Sequence, residues 1–139
     1  MSVRPPGGTP PPATARLGDR ELDLAVLARE ICERYHAQYP DEDERYGPAG
    51  AEWCRHDNQW LLSWAVGDVR GVTRLDEQVA WLASVLDSRD FPLDRLAHDL
   101  RIAADVVEAT VGEPGAAVAE SLRRAAETVV RPRDPGAGR

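Results

Sequence analysis

The sequence predicts an all-α protein of five to six helices, for three reasons. Apolar residues recur at spacings of three and four along most of the chain, which is the period of a helix with one buried face. Proline and glycine residues separate these segments, and no segment alternates between apolar and polar residues as a half-buried strand does. The length of 139 residues corresponds to about one domain.

Both ends of the chain are predicted to be disordered tails, at residues 1–18 and 131–139. Five of the 11 prolines lie within the first 12 residues, and the last nine residues are again rich in proline and glycine. Such segments bury too little apolar surface to offset the entropy lost on ordering. The folded domain is therefore expected at residues 19–130, without internal repeats.

Proline, glycine or a capping residue bounds each of five predicted helices. They begin at about Asp19, Ala51, Thr73, Pro92 and Ala116. The first ends at Tyr39 before Pro40, the second at Val66 and the fifth at Val130. Thr73 and Asp76 are interpreted as an N-cap pair, and Pro92 as the first residue of its helix. The four consecutive acids at residues 41–44 predict a solvated loop.

Charge and composition exclude several classes of function. The chain has 17 basic and 24 acidic residues, so its net charge is −7 and its pI is about 4.9. This acidity argues against nucleic-acid binding, which requires a basic face. No apolar run is long enough to span a membrane, and the first residues lack the apolar core of a signal peptide. Two cysteines without a CxxC motif predict neither a disulfide-rich scaffold nor a zinc site. We therefore expect a cytoplasmic protein.

The second predicted helix contains most of the tryptophan of the chain. At 100° per residue, Trp53, Trp60 and Trp64 fall within about 40° of one another, and Asp57 lies inside this stripe. An ionised carboxylate on such a face is costly unless it is paired. Asp57 is therefore expected either to bond to a neighbouring helix, for instance to an arginine, or to accept N–H groups from a ligand held against the tryptophans.

The residues around Asp57 complete the candidate site. Cys54 lies one helical turn before it, although a free cysteine usually only packs in the core, as we expect for Cys32. Arg55 falls on the solvent side of the helix and His56 at its margin.

Other chemistry finds less support in the sequence. A haem protein requires an axial ligand, and His98 is predicted to face solvent beside Arg95 and Arg101. No phosphate-binding, metalloprotease or serine-hydrolase motif is present. The chain is therefore not expected to be an enzyme.

Residues 54–65 resemble the chromophore helix of phycobiliproteins and their globin-like relatives. In that family a cysteine precedes an aspartate by three residues, and aromatic residues follow the aspartate at intervals of three and seven. Cys54, Asp57, Trp60 and Trp64 occupy these positions. The resemblance extends over residues 22–130 and implies a globin-like fold.

The resemblance also implies a function, namely binding of a linear tetrapyrrole (a bilin) without catalysis. Cys54 would form the thioether, Asp57 would accept the pyrrole N–H groups, and the tryptophans would pack on the chromophore. Arg55 would bind a propionate, because His56 stands where family members commonly have arginine. The protein would act as a carrier, as a sensor or as the partner of a bilin-metabolising enzyme. Its partner could instead be a second copy of itself, in a homodimer. The alternatives are a ligand-free interaction scaffold and a haem-binding globin.

Overall fold

The computed structural model describes residues 10–130; the first nine residues of the tail predicted at 1–18, and the whole tail predicted at 131–139, lie outside this range. The described part contains a short β-hairpin followed by five α-helices. Its elements are β1 (Thr14–Leu17), β2 (Arg20–Asp23), α1 (Leu24–Gln38), α2 (Asp41–Val69), α3 (Leu75–Asp87), α4 (Leu93–Val111), a 3₁₀ turn (Glu113–Gly115) and α5 (Ala116–Val130). The prediction of an essentially all-α chain is confirmed.

The hairpin corrects the prediction for residues 10–23. Strand β1 lies in the segment predicted as a disordered tail, and β2 replaces the expected first turn of α1. The strands pair antiparallel, with Ala15 opposite Leu22. Gly18 begins the tight turn between them at φ 64°, a conformation that glycine adopts without steric cost. Leu22 is buried, so even this short hairpin contributes to the core.

Helix α1 begins where the hairpin ends. The Asp23 carboxylate accepts a hydrogen bond from the backbone N–H of Val26 at 3.1 Å, which satisfies one of the unpaired donors of the first turn. The backbone N–H of Leu24 donates to the carbonyl of Ala13 at 2.8 Å. These two bonds place the start of α1 five residues later than the sequence predicts.

Helix α2 is longer than predicted and is bent. It begins ten residues before the predicted start at Ala51 and includes residues 41–44, which the sequence predicts as a solvated loop. Its non-helical residue is Gly47 at φ 64° and ψ −159°. Pro48 follows this bend. The acidic residues at 41–44 form the first turn of the helix, where negative charge interacts favourably with the helix dipole.

The remaining helices agree more closely with the pattern. Helix α5 has the predicted bounds, whereas Pro92 is the N-cap of α4 and not its first residue. The N-cap of α3 is Arg74 and not Thr73; the N–H of Leu75 instead donates to the Asp68 carboxylate at 3.1 Å. Helix α4 packs along α5 and α1 and carries the longest buried face. No helix within residues 10–130 is long and apolar enough to cross a membrane.

Candidate functional site

A cavity of about 280 Å³, partly open to solvent, lies between the first four helices. Helix α1 contributes Tyr35 to its wall, and the exposed Arg89 marks its rim, in the segment after α3. Its apolar wall consists of Trp53, Leu61, Leu82, Leu86, Phe91 and Leu96. The same cavity contains three carboxyl groups, those of Glu42, Asp57 and Asp99. Acidic groups within an apolar cavity are a common feature of binding sites.

Asp57 lies in the cavity wall. Burial, and secondly the nearby charge of Asp99, raise the pKa of its carboxyl from 3.8 to about 8, while the charge of Arg89 acts in the opposite direction. Among the residues that the structure describes, none donates a hydrogen bond that lowers this pKa. The charge of Arg89 thus stabilises the Asp57 anion less than burial destabilises it, and a donor entering the cavity would stabilise its charged form further.

Asp99 and Asn58 form a second polar group in the same wall. Asp99 is 7% exposed, and burial raises the pKa of its carboxyl to about 7 although Asn58 donates to it. The Asn58 Nδ2 lies 3.1 Å from the Asp99 Oδ1 and 3.0 Å from the carbonyl oxygen of Cys54. Within residues 10–130 the buried Asn58 Oδ1 has no hydrogen-bond partner. An unpartnered buried acceptor of this kind is costly and is satisfied if a ligand supplies a donor.

The prediction of a solvated loop at residues 41–44 is wrong for Glu42. Its side chain is buried and accepts a hydrogen bond from the Tyr35 hydroxyl. Arg95 Nη1 lies 2.9 Å from the Glu42 carboxylate and 3.0 Å from that of Asp41. Burial, and secondly the bond to Glu42, raise the pKa of Tyr35. The Arg95 guanidinium thus neutralises one of the three carboxylates of the cavity, and its Cζ also lies 4.3 Å from the ring centre of Tyr39.

Cys54 lines the cavity and is bonded to Cys32 as a disulfide, with 6.0 Å between the two Cα atoms. The sequence predicts both residues as separate thiols, so this expectation is wrong for the structure described. The bond links α1 to α2. It also occupies the sulfur that a thioether to a bilin would require, so covalent attachment at Cys54 needs prior reduction.

The tryptophan stripe does not lie at the centre of the buried face of α2. Most of that face consists of Asn58, Leu61, Leu62, Ala65 and Val66. At 100° per residue its centre lies about 150° from Trp53. Trp53, Trp60 and Trp64 are half-buried on nearly the opposite side of the helix, and only Trp53 lines the cavity. The rings of Trp60 and Trp64 pack on each other, with centres 5.9 Å apart. The structure therefore brings together Trp53, Cys54 and Asp57, and places Trp60 and Trp64 elsewhere.

The other predicted residues lie outside the cavity wall. Arg55 is exposed, as its helical position predicts, and His56 is half-buried. His98 is a correction, because it does not simply face solvent: its Nδ1 lies 2.6 Å from the Tyr39 hydroxyl. None of the three histidines is among the described residues that line the cavity. No group of three or more His, Cys, Asp or Glu side chains within residues 10–130 is placed to hold a metal ion.

Sequence reasoning missed Asn58, Asp99 and Glu42. Asp99 lies three residues after Leu96 and directly before Leu100, both of which are buried, and this spacing was the available signal. Asn58 does not stand out in the sequence, because the spacing of the tryptophans predicts a different buried face from the one that Leu61 and Leu62 form. Glu42 gave no signal, because its burial depends on the bend at Gly47.

Comparisons of this chain with protein-family models, with curated proteins and with solved structures found no match.

Proposed function

We propose that the protein binds, without chemically changing it, a small flat ligand that presents N–H groups to Asp57 and Asp99. The leading candidate for this ligand is a linear tetrapyrrole, held within a globin-like arrangement of helices. The observation that carries the proposal is the position of two poorly stabilised carboxyl groups in one apolar cavity.

The chemistry of the cavity favours a donor ligand. Asp57, Asp99 and the Asn58 Oδ1 are acceptors, whereas the Arg95 guanidinium is already engaged by Asp41 and Glu42. A bound N–H group or cation would form charge-assisted hydrogen bonds with the carboxylates. The ring of Trp53 and that of Phe91 offer flat apolar surfaces for a conjugated plate.

The size of the cavity limits how a tetrapyrrole would be held. A volume of about 280 Å³ is at the lower end for small-molecule sites, which span about 300–1,000 Å³. One or two pyrrole rings would occupy the cavity, and the rest of the molecule would extend through its opening. Binding in the oxidised protein would be non-covalent, because Cys54 is bonded to Cys32. Trp53 and Asp57 fit the roles that the resemblance assigns, whereas Arg55 lies on the exposed side of α2.

The haem alternative has less support from the donor set. A haem iron needs an axial ligand such as histidine, cysteine thiolate or tyrosine. Among the described residues of the cavity wall there is no histidine, and Cys54 is bonded to Cys32. The Tyr35 hydroxyl donates to Glu42, which leaves Tyr46. The ligand-free scaffold is distinguished from both by the binding experiment below.

The test is a titration of the purified full chain with biliverdin, followed by visible absorbance. We expect saturable binding by the wild type and weaker binding by Asp57→Asn, by about 10-fold or more, because loss of a charge-assisted hydrogen bond costs about 1.5–3 kcal/mol. The matched control is Asp87→Asn, which makes the same change at the exposed end of α3 and should bind like the wild type.

Two outcomes would contradict the proposal. If biliverdin does not bind to the wild type, the scaffold alternative is favoured. If Asp57→Asn and Asp87→Asn bind it equally well, Asp57 is not the acceptor. A parallel titration with haemin tests the remaining alternative, which a saturable Soret shift would favour.

A further inference from the structure

The two cysteines differ in their access to the cavity. Cys54 is half-buried and lines the cavity wall, whereas Cys32 is 4% exposed and lies behind it on α1. A molecule that enters the cavity therefore meets the Cys54 sulfur first. Attack on a disulfide requires access to the sulfur that is attacked, so the position of this bond gives it one reactive side.

A polar group contacts both sulfurs of the disulfide. The Asn58 Nδ2 lies 3.5 Å from the Cys54 Sγ and 3.6 Å from the Cys32 Sγ, within range of weak N–H···S hydrogen bonds. The same nitrogen donates to Asp99. An N–H donor stabilises the thiolate that a broken disulfide releases, and the thiolate is the reactive form of cysteine. The surroundings of the bond are thus polar on the side of α2 and α4.

The charges of the cavity select among possible reagents. Asp57 lies one helical turn after Cys54, and Asp99 is linked to both sulfurs through Asn58. Above about pH 8, where both carboxyls are ionised, they favour a cation over an anion within about 4–6 Å. Trp53 adds an aromatic face, which also attracts a cation.

The cavity wall also includes the guanidiniums of Arg89 and Arg95, but above this pH its three carboxylates outnumber them. A positively charged thiol should therefore concentrate beside Cys54, and a negatively charged one should be repelled.

We propose that the Cys32–Cys54 disulfide is a thiol-exchange site that is entered through the cavity and prefers small thiols carrying an ammonium group. This proposal does not depend on tetrapyrrole binding.

The exchange proceeds in two balanced steps. In the first, the reagent thiolate attacks the Cys54 Sγ, a new S–S bond forms between them, and the Cys32 Sγ leaves with the electron pair and takes up a proton. In the second, another reagent thiolate attacks the reagent sulfur of the mixed disulfide. This step releases the symmetric disulfide of the reagent and the Cys54 thiolate. Two reagent thiols are oxidised, and the protein disulfide is reduced to two thiols.

The first experiment uses the full wild-type chain. At a pH above 8, where Asp57 and Asp99 are ionised, it is treated separately with cysteamine, which carries an ammonium group, and with 3-mercaptopropionate, which has similar length and a carboxylate. Samples are quenched with acid and the mixed disulfides are mapped by peptide mass spectrometry. We expect the adduct on Cys54 and not on Cys32. We also expect reduction by cysteamine to be at least about 10-fold faster after correction for thiolate fraction, as favourable against unfavourable charge contacts imply. Equal corrected rates, or an adduct on Cys32, would overturn the proposal.

Two sets of variants separate access from charge. Cys32→Ala retains Cys54 and should react with cystamine at least about 10-fold faster than Cys54→Ala, which retains the buried thiol, because exchange depends on access. Asp57→Asn should reduce the preference for the cationic reagent, and Asp87→Asn should leave it unchanged. If Asp57→Asn keeps the full preference, the carboxylates do not select the reagent and that part of the proposal is wrong. Because the readout is protein mass, failure of biliverdin to bind would not affect these results.

Discussion

The two ends of helix α4 contribute to regions of different chemistry. Its first two turns place Arg95 and Asp99 beside the cavity, where buried polar groups outnumber those elsewhere in the described core. Its later turns pack against α5 through small and branched apolar side chains that are fully buried. Examples are Ala103 and Val107 on α4 and Leu122 on α5. At Gly115, in the turn before α5, an added Cβ would lie 2.8 Å from the Val107 Cγ1.

This contrast separates stability from function within one small domain. The α4–α5 contact is close-packed and gains stability from apolar burial. The cavity region loses stability by holding the Asp57 and Asp99 carboxyls where burial disfavours their charged forms. Sites of this second kind are retained in proteins mainly where a ligand or a reaction uses them.

The largest expected effect tests the packing difference directly. Leu122→Ala, in the α4–α5 contact, should lower the free energy of unfolding by about 2–5 kcal/mol. Leu82→Ala, in the cavity wall, should cost less, because Leu82 already faces empty space on one side and has fewer contacts to lose. Urea denaturation followed by circular dichroism measures both. Equal losses would mean that the two regions are packed alike.

A smaller effect is expected from the ion pair that borders the cavity. Arg95→Met leaves the buried Glu42 carboxylate without its guanidinium and should cost about 2–3 kcal/mol. Arg101→Met is the matched control on the same helix, because Arg101 is exposed, and should change stability by less than about 0.5 kcal/mol. Thermal melting of both variants checks this. A wild-type-like Arg95→Met would show that Glu42 does not need its partner.

The pH dependence of stability should come from the cavity region. The folded state raises the pKa of Asp57 to about 8 and that of Asp99 to about 7, from 3.8, so it binds these protons more tightly than the unfolded chain does. The resulting stability is fully present below pH 4 and is lost as pH rises through 7 and 8. Between about pH 4 and its folded-state pKa, each group lowers the free energy of unfolding by up to about 1.4 kcal/mol per pH unit.

Asp57→Asn sharpens this expectation. It should remove the contribution of Asp57 to the slope and leave the ligand-free protein at pH 7 as stable as the wild type or more stable, because an amide is less costly to bury than an unpaired carboxylate. Urea denaturation at a series of pH values measures both properties. A large loss of stability at pH 7 would instead identify a structural ion pair of Asp57.

The smallest expected effect concerns the exposed side of α2. Arg55→Ala should change stability by less than about 0.5 kcal/mol and should leave biliverdin affinity unchanged, since Arg55 is exposed and outside the cavity wall. A decrease in affinity, measured in the same absorbance titration, would mean that a bound ligand extends around the helix to this side chain.

The sequence predicted the helical class and the region of the site, but not the polar centre of the site. Periodicity placed α5 correctly because its apolar residues are regular and proline follows it. It failed at residues 14–23, where two short strands gain their stability from Leu22 and from bonds to the start of α1. It also predicted the wrong buried face for α2, because the tryptophans share one side of the helix whereas Asn58, Leu61 and Leu62 form the buried side. Asp57 and Cys54 were found from their spacing, whereas the partners of both depend on tertiary contacts.

The Cys32–Cys54 bond also has a consequence for the unfolded chain. It closes a loop with a sequence separation of 22 that contains the bend at Gly47. A closure of this length restricts the disordered ensemble and favours the native state by about 3 kcal/mol in the chain-entropy description. Removing that restriction would increase the freedom of the segment from Tyr39 to Trp53, which carries Glu42 and one wall of the cavity. The oxidation state of the cysteines would then determine how often this wall opens by local unfolding, and hydrogen exchange in the first half of α2 would follow it.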